Sequence, residues 1–295
     1  MRLGAVLIAA GKQANPMLPS GEITVAQRMI ASLQKAGVTQ IAVVTGPDDK
    51  KMEKQLAQYG VFFLQNPNPE QENASIRMGL AYLGEKSEVL YLLSADYPLV
   101  DPDTLRMLKD VDAPFVVPTF RGKRGQPLLV RQRYASKLYE AKHMTAAIEL
   151  PYMMELAVED PGVILTAAEA AGHTVLIADH ERKLTRLIPD FSITRGKPLV
   201  DGKLIVLLRL IRETQSVRDA CSRMQISYST AWNLLNGAEE ALGYPLILRN
   251  KGGPSGSGSL LTEKGQRLLT ACDQFETAAR ENLETLYGKF LQSVI

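Results

Sequence analysis

The stretch that most constrains this chain is Ser216–Leu261, SVRDACSRMQISYSTAWNLLNGAEEALGYPLILRNKGGPSGSGSLL. Ser216 can cap a first short helix with Val217, Ala220 and Cys221 facing inward. A tight connection, Met224-Gln225-Ile226-Ser227, leads to a second helix that Ser227 can cap. Its apolar stripe is Ala231, Leu234, Leu235, Ala238 and Leu242. Ser229, Asn233 and Asn236 fall on the opposite face, and Gly243 ends the helix. Leu246-Ile247-Leu248 begins a strand, with Arg249 and Lys251 at its far end and a Gly/Ser hairpin beyond. Helix, turn, helix and glycine wing in this order predict a winged helix-turn-helix. Such a module puts its second helix into a DNA groove and its wing against backbone phosphate. Short polar side chains suit both kinds of contact, and Asn233 is the candidate for a bidentate bond to adenine.

Everything upstream is then something attached to a DNA-binding module. The chain of 295 residues has room for two domains. Its formal net charge of +2 does not by itself suggest nucleic acid. From Arg195 onward there are 13 Lys and Arg against 10 Asp and Glu, leaving 21 against 22 upstream. The basic excess sits in the DNA module but is small, which predicts modest affinity per monomer and a need for dimerisation. Cys221 and Cys272 both lie on apolar helix faces and read as buried thiols. Neither a signal peptide nor a membrane-spanning run is present, so a cytoplasmic protein without membrane contact is expected.

The N-terminal part alternates strand and helix patterns. Leu3–Ala10 is a buried-strand run followed at once by Gly11 and a polar loop to about Thr24. Val25–Lys35 is an amphipathic helix, Ile41–Val44 a strand ending at Thr45-Gly46, and about Asp49–Tyr59 a charged helix. Val61–Leu64, a helix over Ala74–Leu83 and the strand Val89–Leu93, ending at Ser94-Ala95-Asp96, follow. This order predicts an α/β domain with a Rossmann-like, mostly parallel sheet whose ligand sits at the C-terminal strand edge. Gly11, Gly46 and Asp96 all land there. A strand–glycine turn can cradle an anion with backbone N–H groups, and a carboxylate at that edge can hold Mg²⁺ against a nucleotide. His173–Ile177 could be a strand, and the region from Pro189 to Pro198 reads as a linker. His143, His173 and His180 are not at metal-ligand spacing and fit surface or packing roles. The expected division is 1–185 for the α/β domain, 186–200 for the linker and 201–295 for the winged helix. After the wing, Thr262 can cap a long helix to about Leu291, with Leu268, Cys272, Phe275, Ala279, Leu283, Leu286 and Phe290 on one stripe. A small winged helix cannot cover all of that stripe, so a homodimer through this helix is expected.

Two family resemblances sharpen these readings. The segments GKPLVDGK, RLIRETQSVRDAC, MQISYSTAWNLLNGAEEALGYPL and KGGPSGSGSLLTEKG resemble the DNA-binding domain of ModE-type molybdate-responsive regulators, relatives of the LysR winged helix. That resemblance implies a DNA face of Ser227, Tyr228, Ser229, Thr230 and Asn233, and a wing carrying Arg249, Lys251 and Ser255. Molybdate-binding domains usually follow the winged helix in that family; with the chain running only to Ile295, none is expected here. Upstream, LIAAG, ASLQKAGVTQIAVVTG, NPNPEQENASIRMGL, LYLLSADYPLV and VVPTFRGKRGQPLLV resemble the MobA-like nucleotidyltransferases, nearest the MocA-like molybdopterin cytidylyltransferases. The resemblance implies transfer of a nucleotide from CTP or GTP to a molybdopterin-type phosphate. Ala9, Ala10 and Gly11 would approach the nucleotide, Ser75 the base, and Asp96 would bind Mg²⁺; Lys12, the only nearby cation, is a further nucleotide-binding candidate at a position that differs from the family's. Gly122, Arg124, Gly125 and Gln126 would form the substrate loop, with Gln126 replacing a histidine. The Ala-Ala-Gly start leans towards cytidine.

The resemblance also has gaps. The family continues after the glycine with x-S-x-R-M-G-x-x-K, whose cations neutralise the triphosphate; here Lys12–Glu22 reads KQANPMLPSGE. The family's Asp-x-Asp-Thr run is replaced by Thr166-Ala167-Ala168-Glu169. Losing such contacts slows phosphoryl transfer by orders of magnitude while leaving backbone-mediated binding possible. The expectation is a DNA-binding regulator linked to molybdenum-cofactor metabolism, with a ligand-binding or weakly active N-terminal domain. The alternative is a working molybdopterin cytidylyl- or guanylyltransferase, using Lys12 and Lys123 or Arg124, with an accessory winged helix.

Overall fold

The apolar run LGAVLI makes β1 (Leu3–Ile8), buried at every position because helices cover both faces of the sheet it enters. The computed structural model describes residues 2–11, 14–149, 152–184, 192–195, 197–224, 226–249 and 259–294. After β1 a short hairpin, β2 (Pro19–Ser20) and β3 (Ile23–Thr24), leads into α1 (Val25–Lys35). Thr24 and Gln27 form a capping box that satisfies orphan N–H groups at the start of α1. Then come β4 (Gln40–Thr45), α2 (Lys50–Leu56), β5 (Phe62–Gln65), α3 (Glu72–Leu83), β6 (Val89–Ser94) and α4 (Pro102–Asp110). The unit continues with β7 (Phe115–Phe120), β8 (Lys123–Arg124), β9 (Leu128–Arg131), α5 (Met144–Ile148), β10 (Met154–Ala157), α6 (Ala167–Ala170) and α7 (Thr174–Leu184).

The sheet order is β10-β7-β9-β6-β1-β4-β5, with β8 paired to β7. The pairs β6–β1, β1–β4, β4–β5 and β7–β10 are parallel, while β9 and β8 run against their neighbours. The sheet is therefore mostly parallel. Two apolar layers flank it: Met29, Ile30 and Leu33 of α1 with Leu105 and Leu108 of α4 on one face, Ile76, Leu80 and Leu83 of α3 on the other. The chain divides into residues 1–185 and 186–295.

The second unit opens with an antiparallel pair, β11 (Ile193–Arg195) and β12 (Lys197–Val200), followed by α8 (Gly202–Thr214). It continues with α9 (Val217–Met224), α10 (Tyr228–Leu242), β13 (Ile247–Arg249), β14 (Ser259–Leu261) and α11 (Glu263–Val294). Its core gathers Leu204, Leu208 and Ile211 of α8 with Ala231 and Leu235 of α10 and Leu269 of α11. Cys221 and Cys272 are both buried free thiols in this layer.

Three sequence readings are corrected. His173–Ile177 is not a strand: Thr174 onward is helical, because good helix formers continue to Leu184 and Asp179 pairs with Lys183 one turn on. The stretch read as a linker carries β11 and β12, and Leu199 and Val200 are buried in the second core. The charged helix after Gly46 stops at Leu56 and tightens into a 3₁₀ turn over Ala57–Tyr59.

Candidate ligand site and nucleic-acid interface

The parallel ladder continues past the strand ends. Ala9 N donates to Val44 O (2.9 Å), and Ala95 N donates to Ile8 O (2.8 Å). This brings Ala9-Ala10-Gly11 and Ala95-Asp96 side by side at the C-terminal edge of neighbouring strands. Gly11 has φ +100°, and a Cβ there would lie 2.9 Å from the Pro69 carbonyl oxygen, so the backbone turns where no side chain fits. Lys12 lies outside the described residues.

Asp96 is buried to 8% exposure, and Asn15 Nδ2 donates to its Oδ1 at 3.1 Å. Burial lifts its carboxyl above the ordinary range, while the Asn15 and Ala167 hydrogen bonds oppose that shift. Its neighbour Tyr97 is likewise pushed up, first by burial and then by the Asp96 charge. Gln126 reaches the same strand tip: its Oε1 accepts from Ser94 N (2.6 Å), and its own N donates to Val163 O (2.8 Å). Gln126 is joined to Pro127 by a cis peptide.

Other expected groups are occupied elsewhere. Ser75 is fully buried, and its Oγ accepts from Asn66 Nδ2 (2.9 Å), so it fastens the loop before α3. The Gly46 amide is filled by the Asp49 carboxylate at 2.6 Å. Arg124 Nε donates to Glu155 Oε1 (2.9 Å), and its Nη1 donates to Ile148 O (3.1 Å). Gly122 is at the tip of the β7–β8 hairpin, and Gly125 N donates to Pro118 O (2.9 Å). Where the acidic run was missed in the sequence, Thr166 and Glu169 form a capping box on α6. Thr166 holds the Glu169 carboxyl below its usual range. Asn15 and Tyr97 were not singled out in the sequence; a polar residue in a loop carries no mark of the carboxylate it will meet.

In the second unit, Ser227 caps α10, accepting from Thr230 N (3.1 Å), and its hydroxyl lies 2.8 Å from those of Ser229 and Thr230. Ala231, Leu235 and Ala238 face the core, while Tyr228, Ser229, Thr230, Asn233 and Asn236 are exposed. The Tyr228 and Trp232 rings meet edge to face at 5.9 Å, a pairing that sequence reading did not anticipate. Glu239 Oε1 accepts from Leu246 N (2.7 Å) and Ile247 N (3.2 Å), fixing the entry to the wing. In the β13–β14 pair Arg249 opposes Ser259; Lys251 and Ser255 lie outside the described residues.

A nucleotidyltransferase-like α/β domain joined to a bacterial winged helix is the class these features define. Residues 10–150 match the MobA-like NTP transferase domain, and residues 203–266 match the bacterial regulatory helix-turn-helix proteins of the LysR family. The chain thus joins a MobA-like domain to a LysR-type helix-turn-helix. Among curated proteins it is similar to the transcriptional regulator ModE of Haemophilus influenzae, with 35% identity over 77 residues, 26% of this chain and 30% of that protein. It is also similar to the molybdenum-pterin-binding protein MopA of Rhodobacter capsulatus, with 32% identity over 103 residues, 35% of this chain and 39% of that protein. The chain therefore spans well under half the length of these relatives. A solved nucleotidyl transferase from Methanothermobacter thermautotroptrophicus shares the fold, at TM-score 0.53 and 19% identity, covering 61% of this chain and 98% of that one. No helix among the described residues is long and apolar enough to cross a membrane.

Proposed function

We propose that this chain is a DNA-binding transcriptional regulator of molybdenum-cofactor metabolism whose α/β unit senses a nucleotide or molybdopterin-type ligand and does not turn it over efficiently. The observation that carries the reading is the fate of the groups meant for a phosphate. Asp96 and the Gly11 turn stand at the strand edge, whereas Arg124 is engaged by Glu155 and the Gly46 amide by Asp49. Transfer needs charge stabilisation at the departing pyrophosphate; binding does not. Among the described residues no group of three or more His, Cys, Asp or Glu could hold a metal. A single buried carboxylate fits a divalent ion, Mg²⁺ in this proposal, that completes its shell with nucleotide oxygens and water. Asp96 would hold it, and the ion would neutralise phosphate charge.

On the DNA side, the exposed Ser229, Thr230 and Asn233 would face the groove, with Arg249 and, in the sequence that follows it, Lys251 and Ser255 as phosphate contacts. The chain acts in the cytoplasm as a homodimer joined along α11, where Phe275 (55%) and Leu286 (60%) are exposed. Calorimetry with Mg²⁺ and CTP or GTP, followed by pyrophosphate release with molybdopterin, tests the reading. Binding without release supports a sensor, and release at ordinary enzymatic rates overturns it in favour of a molybdopterin nucleotidyltransferase. Asn233→Ala with Arg249→Ala is expected to abolish operator binding while leaving ligand binding intact; unchanged DNA affinity contradicts the regulator.

A further inference from the structure

We infer that a hydrogen-bonded strap, running from Asp96 through the Asn15 loop and Arg28 to helix α7, carries the state of the strand-edge site to the end of the α/β unit. The inference rests on the reading of that site as a ligand sensor. The strap begins at the Asn15–Asp96 bond of 3.1 Å. The loop behind Asn15 is stitched to α1 by its own backbone: Leu18 N donates to Asn15 O (3.2 Å), Val25 N to Leu18 O (3.0 Å) and Ala26 N to Pro16 O (2.9 Å). The β2–β3 hairpin follows at once, and Arg28 grips it.

Arg28 is a fully buried guanidinium. Its Nε and Nη2 donate to Ser20 O at 3.2 and 2.6 Å, and Nη2 also reaches Glu181 Oε1 on α7 at 2.5 Å. Its Nη1 lies 3.3 Å from His180 Nδ1. Glu22 N adds a bond to the same Glu181 oxygen at 3.4 Å. Gly21 gives an independent sign of this docking. It has φ +66°, a conformation that favours glycine, and a Cβ there would displace the Glu181 carboxylate from its place on the hairpin.

Helix α7 also accepts from Arg28 Nη1 at Ile177 O (3.5 Å) and half-buries Leu176, Ile177 and Leu184. Its only buried residue is His180, whose Nε2 lies 3.0 Å from Val100 O and 3.3 Å from Ser32 Oγ; Lys183 pairs with Asp101 at 2.6 Å. An element with no fully buried apolar side chain, fastened largely by polar contacts, sits at the low end of local stability. A buried guanidinium makes the fastening sensitive to Glu181, because losing that carboxylate removes its counter-charge. A cation arriving at Asp96 competes with the Asn15 amide for the same carboxylate oxygen. Releasing Asn15 frees the loop, the loop moves the hairpin, and the hairpin loosens Arg28 from α7. That helix ends at Leu184, one residue before the boundary of the unit, from which the sequence runs on to the DNA-binding module.

Hydrogen–deuterium exchange of the full chain tests the strap. Without ligand, Asn15→Ala, at an exposed position, is expected to raise exchange across residues 174–184 by about fivefold or more, with β6 unchanged. Wild-type rates in 174–184 in that variant overturn the strap whatever the ligand does. With Mg²⁺ and CTP as the probe, exchange should change in both 14–24 and 174–184. Glu181→Ala should remove only the second change, and Glu181→Gln, which keeps an acceptor oxygen, should retain it. A probe that alters 14–24 and leaves 174–184 untouched in the wild type also overturns the strap. Absence of any binding heat sinks the sensor reading instead, and the ligand-free comparison still decides the strap.

Discussion

Helices α1 and α7 are the same length, 11 residues each, and are fastened in opposite ways. Helix α1 buries Val25, Ala26, Met29, Ile30 and Leu33 against the sheet, whereas α7 buries His180 alone. The first is held by area removed from water, which is indifferent to direction and to pH. The second half-buries Leu176, Ile177 and Leu184 and leans more on a few aligned donors and acceptors, which respond to protonation and to the loss of a single partner. One α/β unit therefore contains both an apolar wall and an element fastened largely by polar contacts.

The largest effect expected from this contrast is at Leu33, which is fully buried. Leu33→Ala should cost the α/β unit about 2–5 kcal/mol in urea denaturation. A loss below about 1 kcal/mol would break the view of α1 as the wall. Unit two repeats the contrast within α8, whose apolar face carries Leu204, Leu208 and Ile211 while burial pushes the Glu213 carboxyl from 4.5 up to about 7 against the opposing pull of Arg223. With its folded pKa raised, Glu213 contributes fully below the unfolded value, and that contribution is lost as pH rises through about 7. Glu213→Gln should therefore stabilise the winged helix by up to about 3 kcal/mol at pH 8 and by little at pH 4.5. Equal shifts in melting temperature at both pH values contradict this.

The His180 imidazole goes the other way. Burial holds it below the ordinary 6.5, so it is neutral in the fold, and its contribution is full above 6.5 and falls away as pH drops below that value. Wild-type stability of the α/β unit should therefore fall as pH drops below 6.5, with His180→Gln flattening the slope; an unchanged slope in the variant would show that His180 is not its source. The smallest effects belong to the solvent side of α7. Val175 is 79% exposed, and Val175→Ala should stay within about 0.5 kcal/mol. Lys183→Ala should cost under about 1 kcal/mol and less in high salt, since the ammonium is half exposed beside Asp101. A larger loss at Val175 would mean that α7 is packed by more than its polar contacts.

The strands and α1 were legible because burial on both faces writes itself as unbroken apolar runs such as LGAVLI, and an amphipathic helix as a stripe. Strand polarity then placed Gly11 and Asp96 at one edge without further information. Helix α7 was not legible, because its opening HTVLI looks like a strand and the partners that hold it, Arg28 and Val100, lie 152 and 80 residues away. The same distance problem hid Asn15, whose partner Asp96 lies 81 residues on, and it left Arg124 looking free until Glu155 was found beside it. The β11–β12 pair was missed because Arg-Gly-Lys-Pro reads as a linker, and its pairing shows only when Leu199 and Val200 meet the core of unit two.

Helix α11, 32 residues long, reaches about 48 Å at 1.5 Å per residue, and its first turns enter the core at Leu269 and Cys272. Two chains laid together along that rod would be related by a two-fold axis, and the symmetry would be printed onto the operator. The sequence bound should read as an inverted repeat, its arms centred about 34 Å, or some ten base pairs, apart or at a whole multiple of that spacing. Hydroxyl-radical footprints would show this as paired protections on one side of the duplex, and a single asymmetric footprint would count against it.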